Sequence, residues 1–75
     1  MNDINKEMKK IKKNLWRAFR KSRLTQEEIG YLMGYRTGQI ARATVSYILS
    51  SRSNPTLMTL VRFAHALGVT LGDIL

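Results

Sequence analysis

Ile4, Met8, Ile11, Leu15 and Phe19 recur at spacings of four, three, four and four. Only one face of an α-helix brings such positions together. Lys6, Lys9, Lys10, Lys12, Lys13, Arg17, Arg20 and Lys21 fill the remaining faces. Asn2 or Asp3 can cap the segment, which predicts a first helix from Asp3 to Ser22. No stretch of the chain alternates with period two for long enough to make a strand. The chain is therefore restricted to an all-α fold.

Thr25-Gln26-Glu27-Glu28 has the form of a capping box, in which the Thr25 hydroxyl and the Glu28 carboxylate each take a backbone N–H. Leu24 before it and Ile29 after it suit a hydrophobic staple. A second helix is expected from Gln26 to about Met33, with Ile29, Leu32 and Met33 facing inward and Gly34 stopping it. Tyr35 to Gly38 reads as a turn. Ile40, Ala41, Thr44, Val45, Ile48 and Leu49 then mark the inner face of a third helix, about residues 39 to 50. The Asn54-Pro55 step ends it. Thr56 caps a fourth helix with the stripe Leu57, Leu60, Val61, Ala64 and Leu67, closed by Gly68. A short fifth helix begins near Leu71. The expectation is a five-helix bundle formed by residues 1–75 as one domain. Residues 1–14 form a basic N-terminal extension of its first helix.

Thirteen Lys and Arg stand against five Asp and Glu, a net charge of +8, and nine of the thirteen lie before Leu24. An excess of that size points to a polyanionic partner. With no cysteine and His65 as the single histidine, neither a disulfide framework nor a metal cluster is expected, and the setting should be a reducing cytoplasm. No cofactor is expected. No apolar run approaches the roughly 20 residues of a membrane span, and the N-terminus has no apolar core of a signal peptide. A core of this size is marginal by itself. Dimerisation is the remaining common support, and Leu71, Ile74 and Leu75, with few expected intrachain partners, suggest a twofold dimer made partly by the fifth helix.

The segments Leu24-Thr25-Gln26-Glu27-Glu28-Ile29-Gly30-Tyr31-Leu32-Met33-Gly34, Ala43-Thr44-Val45-Ser46-Tyr47-Ile48, Asn54-Pro55-Thr56-Leu57-Met58-Thr59-Leu60 and Ala64-His65-Ala66-Leu67-Gly68-Val69-Thr70-Leu71-Gly72-Asp73-Ile74-Leu75 closely resemble the Cro/repressor-type, or XRE-like, helix-turn-helix family. The resemblance runs from about Leu15 to Leu75. It implies a lambda-repressor-like DNA-binding domain whose third helix reads the major groove. Members are mostly phage and bacterial transcription regulators, commonly repressors. They bind palindromic operators as homodimers with half-sites roughly 34–36 Å apart.

Three departures from the family pattern stand out. The segment from Tyr35 to Ala43 is about five residues longer than usual, and an extra helical turn could absorb part of it. The Arg–Glu ion pair many members carry falls on Phe19 and Leu49, so both halves are replaced by apolar residues, a physically coherent exchange. The glycine usual after the third helix is Ser51, which must adopt a left-handed backbone or let the helix end differently.

Base-reading candidates are Gln39, Arg42, Ala43, Ser46 and Tyr47 on the outer face of the third helix. Arginine suits guanine, glutamine suits adenine, and Ala43 could meet a thymine methyl. Phosphate candidates are Gln26, which the family uses in that way, together with Arg36, Thr37, Arg52, Ser53, Asn54, Arg20, Lys21 and Arg23. Trp16 reads as a core residue, His65 as a surface residue, and Tyr31 and Tyr35 as packing at the turn. Glu27 and Glu28 read as capping residues, since no nucleophile, base or metal set accompanies them. Two other classes fit less of the sequence. One is an antitoxin-like or protein-interaction module with secondary DNA binding. The other is membrane or RNA binding through the basic first helix, although Leu15 and Phe19 are needed for the core.

Overall fold

The computed structural model describes residues 2–75, with side chains from Ile4 onward except Asn5. Five helices follow in order: α1 (Asn2–Ser22), α2 (Gln26–Leu32), α3 (Gly38–Leu49), α4 (Leu57–Leu67) and α5 (Leu71–Ile74). No strand occurs among the described residues. The cap expected from Asn2 or Asp3 lies outside the described side chains.

Local signals set most helix ends. Thr25 Oγ1 accepts from Glu28 N at 3.0 Å, and Glu28 Oε1 accepts from Thr25 N at 2.8 Å, completing the capping box. Gly34 takes a φ of 106°. Tyr35 N then donates to Gly30 O and Gly34 N to Tyr31 O, both at 3.0 Å, a Schellman closure of α2. The same arrangement closes α4, where Gly68 has φ 75° and Val69 N reaches Ala64 O at 3.0 Å. Thr56 caps α4 as expected. A second capping box, Thr70 with Asp73, opens α5; sequence reading passed over it because aspartate stands where glutamate is usual.

Backbone hydrogen bonds from Thr25 and Thr70 hold the Glu28 and Asp73 carboxyls below their ordinary values. A carboxyl that is more acidic when folded stabilises the fold above its unfolded pKa. That contribution disappears as pH falls through the folded value. Thermal stability is therefore expected to be flat above about pH 5 and to fall below about pH 4. Glu28→Gln should shrink that acid dependence, which melting curves across the range would read out. An unchanged pH profile in that variant would contradict this account.

Leu15, Ile29, Val45, Ile48, Leu49, Leu60, Phe63, Ala64 and Ile74 form the buried core, with Ile11, Trp16, Phe19, Leu24 and Met33 among the side chains packed against it. Phe19 and Leu49, the positions of the replaced ion pair, thus lie against and within the same apolar cluster.

Several inward assignments change. Leu32 is 60 % exposed and Ile40 54 %. At about 100° per residue, the arc that α2 buries is centred on Met33, because Gly30 lets α3 come close on that side. Leu32 lies roughly 100° away from that centre. On α3 the buried arc runs through Ala41, Val45, Ile48 and Leu49, which leaves Ile40 outside. On α4, Phe63 is fully buried, whereas Leu57 and Val61 are exposed. Leu57 overhangs as the first residue of its helix, and Val61 lies to one side of the Leu60–Ala64 row. Tyr31 is also exposed rather than packed.

The fifth helix is corrected too. Ile74 is fully buried, Leu71 packs against the core, and Asn14 Nδ2 donates to Ile74 O at 2.7 Å. The chain's own core uses this helix, leaving only Leu75 exposed of the three apolar residues assigned to a dimer interface.

Candidate nucleic-acid interface

The helix-turn-helix unit is α2, the turn and α3. Its close approach depends on Gly30: a Cβ there would lie 2.5 Å from Ala41 Cα and 2.7 Å from its carbonyl carbon. Ala41 is itself fully buried. The long segment before Thr44 is partly helical, as anticipated. Thr37 caps α3 with its hydroxyl 3.3 Å from Ile40 N, so the helix starts at Gly38.

With Ala41, Val45, Ile48 and Leu49 turned inward, Gln39, Arg42, Ala43, Ser46 and Tyr47 all lie on the exposed side of α3. Among the described residues, no other part of the chain covers this arc. Ala43 lies nearest its centre, and Arg42 flanks it on the α2 side. There Arg42 Nη1 is 3.8 Å from Glu27 Oε1, with both side chains substantially exposed. Exposed pairs of this kind contribute little to stability, about 0–1 kcal/mol. Their interest is positional. Glu27, expected only as a capping residue, instead lies over Gly38, where a Cβ would meet its carboxylate.

The phosphate candidates divide. Arg36 and Thr37 are exposed at the N-terminal lip of α3, although the Thr37 hydroxyl is already used as a cap. Gln26 is half-buried at the first position of α2. Arg52 and Asn54 are exposed in the loop after α3. Ser53 is not: it is 5 % exposed, and its hydroxyl donates to Ile48 O at 2.8 Å. Burial and that bond withdraw it from the phosphate set. Arg20, Lys21 and Arg23 are exposed, and Arg20 and Lys21 line one groove with Lys13 and Arg17. The Arg20 guanidinium sits 5.6 Å from the Trp16 ring, Lys21 faces Asp73, and Arg23 turns the chain with a left-handed φ of 59°.

The end of α3 is held by side chains from α1, which sequence reading did not foresee. Ser50 closes the helix with extended backbone, so Ser51 needs no left-handed conformation. Trp16 Nε1 donates to Leu49 O at 2.9 Å. Lys12 Nζ donates to Ser50 O, to Ser53 Oγ and to Ser53 O. Burial pulls the Lys12 amine below its ordinary pKa, while the oxygens around it replace lost water. A cation at the C-terminal end of α3 also suits the helix dipole. No local spacing announces these contacts, which join residues 33 to 41 positions apart.

This fold and its bare third helix define a helix-turn-helix domain of the DNA-binding kind. The helix-turn-helix family model matches residues 17–74, and the chain belongs to that family, in its Cro/repressor-type branch. It is a family of DNA-binding, transcription-regulator-type domains. No curated protein and no solved structure matches the chain. No helix among the described residues is long and apolar enough to cross a membrane.

Proposed function

We propose that this protein is a sequence-specific transcriptional regulator, most simply a repressor, acting in the cytoplasm as a homodimer on a palindromic operator. It needs no cofactor. The observation that carries the reading is the uncovered arc of α3, whose side chains are a guanidinium, a carboxamide, a hydroxyl, a phenol and a methyl. That set offers both hydrogen bonds and apolar contact to base edges in the major groove. Arg36, Arg52, Asn54 and Gln26 would position the domain on the backbone, and the +8 charge would speed encounter. Exposed Leu57, Met58 and Val61 on α4, and Leu32 on α2, supply apolar surface for a second copy.

Selection from random duplex DNA tests the reading. The expected product is a twofold-symmetric site bound more tightly than random duplex, with affinity falling steeply as salt rises. Recovery of no preferred sequence would overturn it. Arg42→Ala should cost about 1–3 kcal/mol on the selected site and relax preference at one base pair of each half-site. An equal loss on every sequence would move Arg42 to a phosphate. Sedimentation of the protein–operator complex should give two chains per site; one chain per site would remove the dimer.

A further inference from the structure

The family match begins at residue 17, yet the helical turns before it are tied to the C-terminal end of α3. Leu15 is fully buried. Lys12 and Trp16 grip the C-terminal end of α3. Between this part of α1 and the loop after α3 runs a groove of about 510 Å3, lined by Lys9, Lys12, Trp16, Arg52 and Asn54 among others, with no carboxylate among the described residues of its wall. Lys12 is spent on the Ser50 and Ser53 oxygens. Lys9, one helical turn before it, and Arg52 keep their cationic heads exposed. Two long cations and an amide on facing walls suit an oxyanion with open access, and no described side chain lining the groove repels one.

We propose that this groove takes a backbone phosphate of the same duplex that α3 reads, with Lys9 and Arg52 as its cationic contacts and Asn54 as a hydrogen-bond donor. The N-terminal extension then lengthens the DNA footprint past the helix-turn-helix proper. Lys12 is the positioning residue that fixes the extension against the loop. The proposal rests on the DNA-binding reading above and adds a site to it.

The test uses the full chain, the selected operator and random duplex, with Lys9→Gln, Arg52→Gln and Lys10→Gln. Lys10 is exposed one turn before Asn14, on the side of α1 facing α5, and serves as the charge-matched control. Lys9→Gln and Arg52→Gln should each flatten the salt dependence, and combined in one chain they should flatten it by about one phosphate, so that between about 50 and 200 mM salt the affinity of the double variant falls roughly 3.5-fold less than for wild type. Both should weaken operator and random duplex alike, and Lys10→Gln should leave the slope in place. A Lys9→Gln slope equal to wild type, with Arg52→Gln still flattened, overturns the groove and leaves the DNA reading standing. Equal flattening by Lys9→Gln and Lys10→Gln also overturns it, as a general charge effect. Absence of salt-dependent binding by the wild type would instead sink the DNA reading itself.

Discussion

Phe63→Ala is expected to lower the free energy of unfolding by about 3–5 kcal/mol. Phe63 has no exposed surface, and its ring lies in the cluster formed by Leu15, Ile29, Leu49, Leu60 and Ile74. Removing the ring loses its transfer free energy and opens a cavity that helices held by short loops cannot close. A chain of this length has in all about 4–11 kcal/mol of stability. The variant should therefore lose a large share of that stability, and urea titration should show the midpoint displaced to lower concentration with little change in slope. A loss below about 1 kcal/mol, the range of surface substitutions rather than core ones, would mean that this ring is not at the centre of the bundle.

Gly30→Ala should combine a stability loss with loss of operator recognition. The new methyl would collide with the Cα and carbonyl carbon of Ala41. Those are backbone atoms of a buried helix and cannot swing aside, so α2 and α3 must separate. Overpacking of this kind costs about 1–3 kcal/mol and occasionally more. Because the separation changes the pose of α3 against α2, contacts to bases should fail even in the fraction that stays folded. Gly38→Ala is the informative contrast. Its methyl meets the Glu27 carboxylate, the far end of a flexible side chain, and lies 3.1 Å from the Tyr31 hydroxyl. That variant should fold at least as well as wild type, since alanine is the better helix former, while displacing Glu27 from Arg42. Melting curves and operator titrations on both variants check the pair. Wild-type stability in Gly30→Ala would refute the described approach of the two helices.

The contrast between these glycines shows where tertiary information enters. From the sequence, Gly30 is one more residue in a short helical segment; only the neighbouring helix makes its missing side chain necessary. Arg42 and Ser46 could be placed on the outer face of α3 because Ala41, Val45, Ile48 and Leu49 occupy the opposite face. In the sequence, Ser53 reads as a phosphate ligand beside Arg52 and Asn54, since all three are polar residues of one loop. Its burial follows from the Lys12 ammonium and the end of α3, neither of which a loop motif contains.

What the amino-acid order determined unaided was the helical class, the number of helices and most of their ends. The capping box at Thr25, the cap at Thr56 and the stops at Gly34 and Gly68 are settled among residues a turn apart, within reach of each other in any chain that bends locally. Tertiary structure alone decided which part of each apolar stripe is buried, as Phe63 against Val61 and Ala41 against Ile40 show. It also decided that Ile74 belongs to the core and that Lys12 closes the third helix. A helix offers a broad arc of directions, and only the angle and distance at which its neighbours arrive select among them.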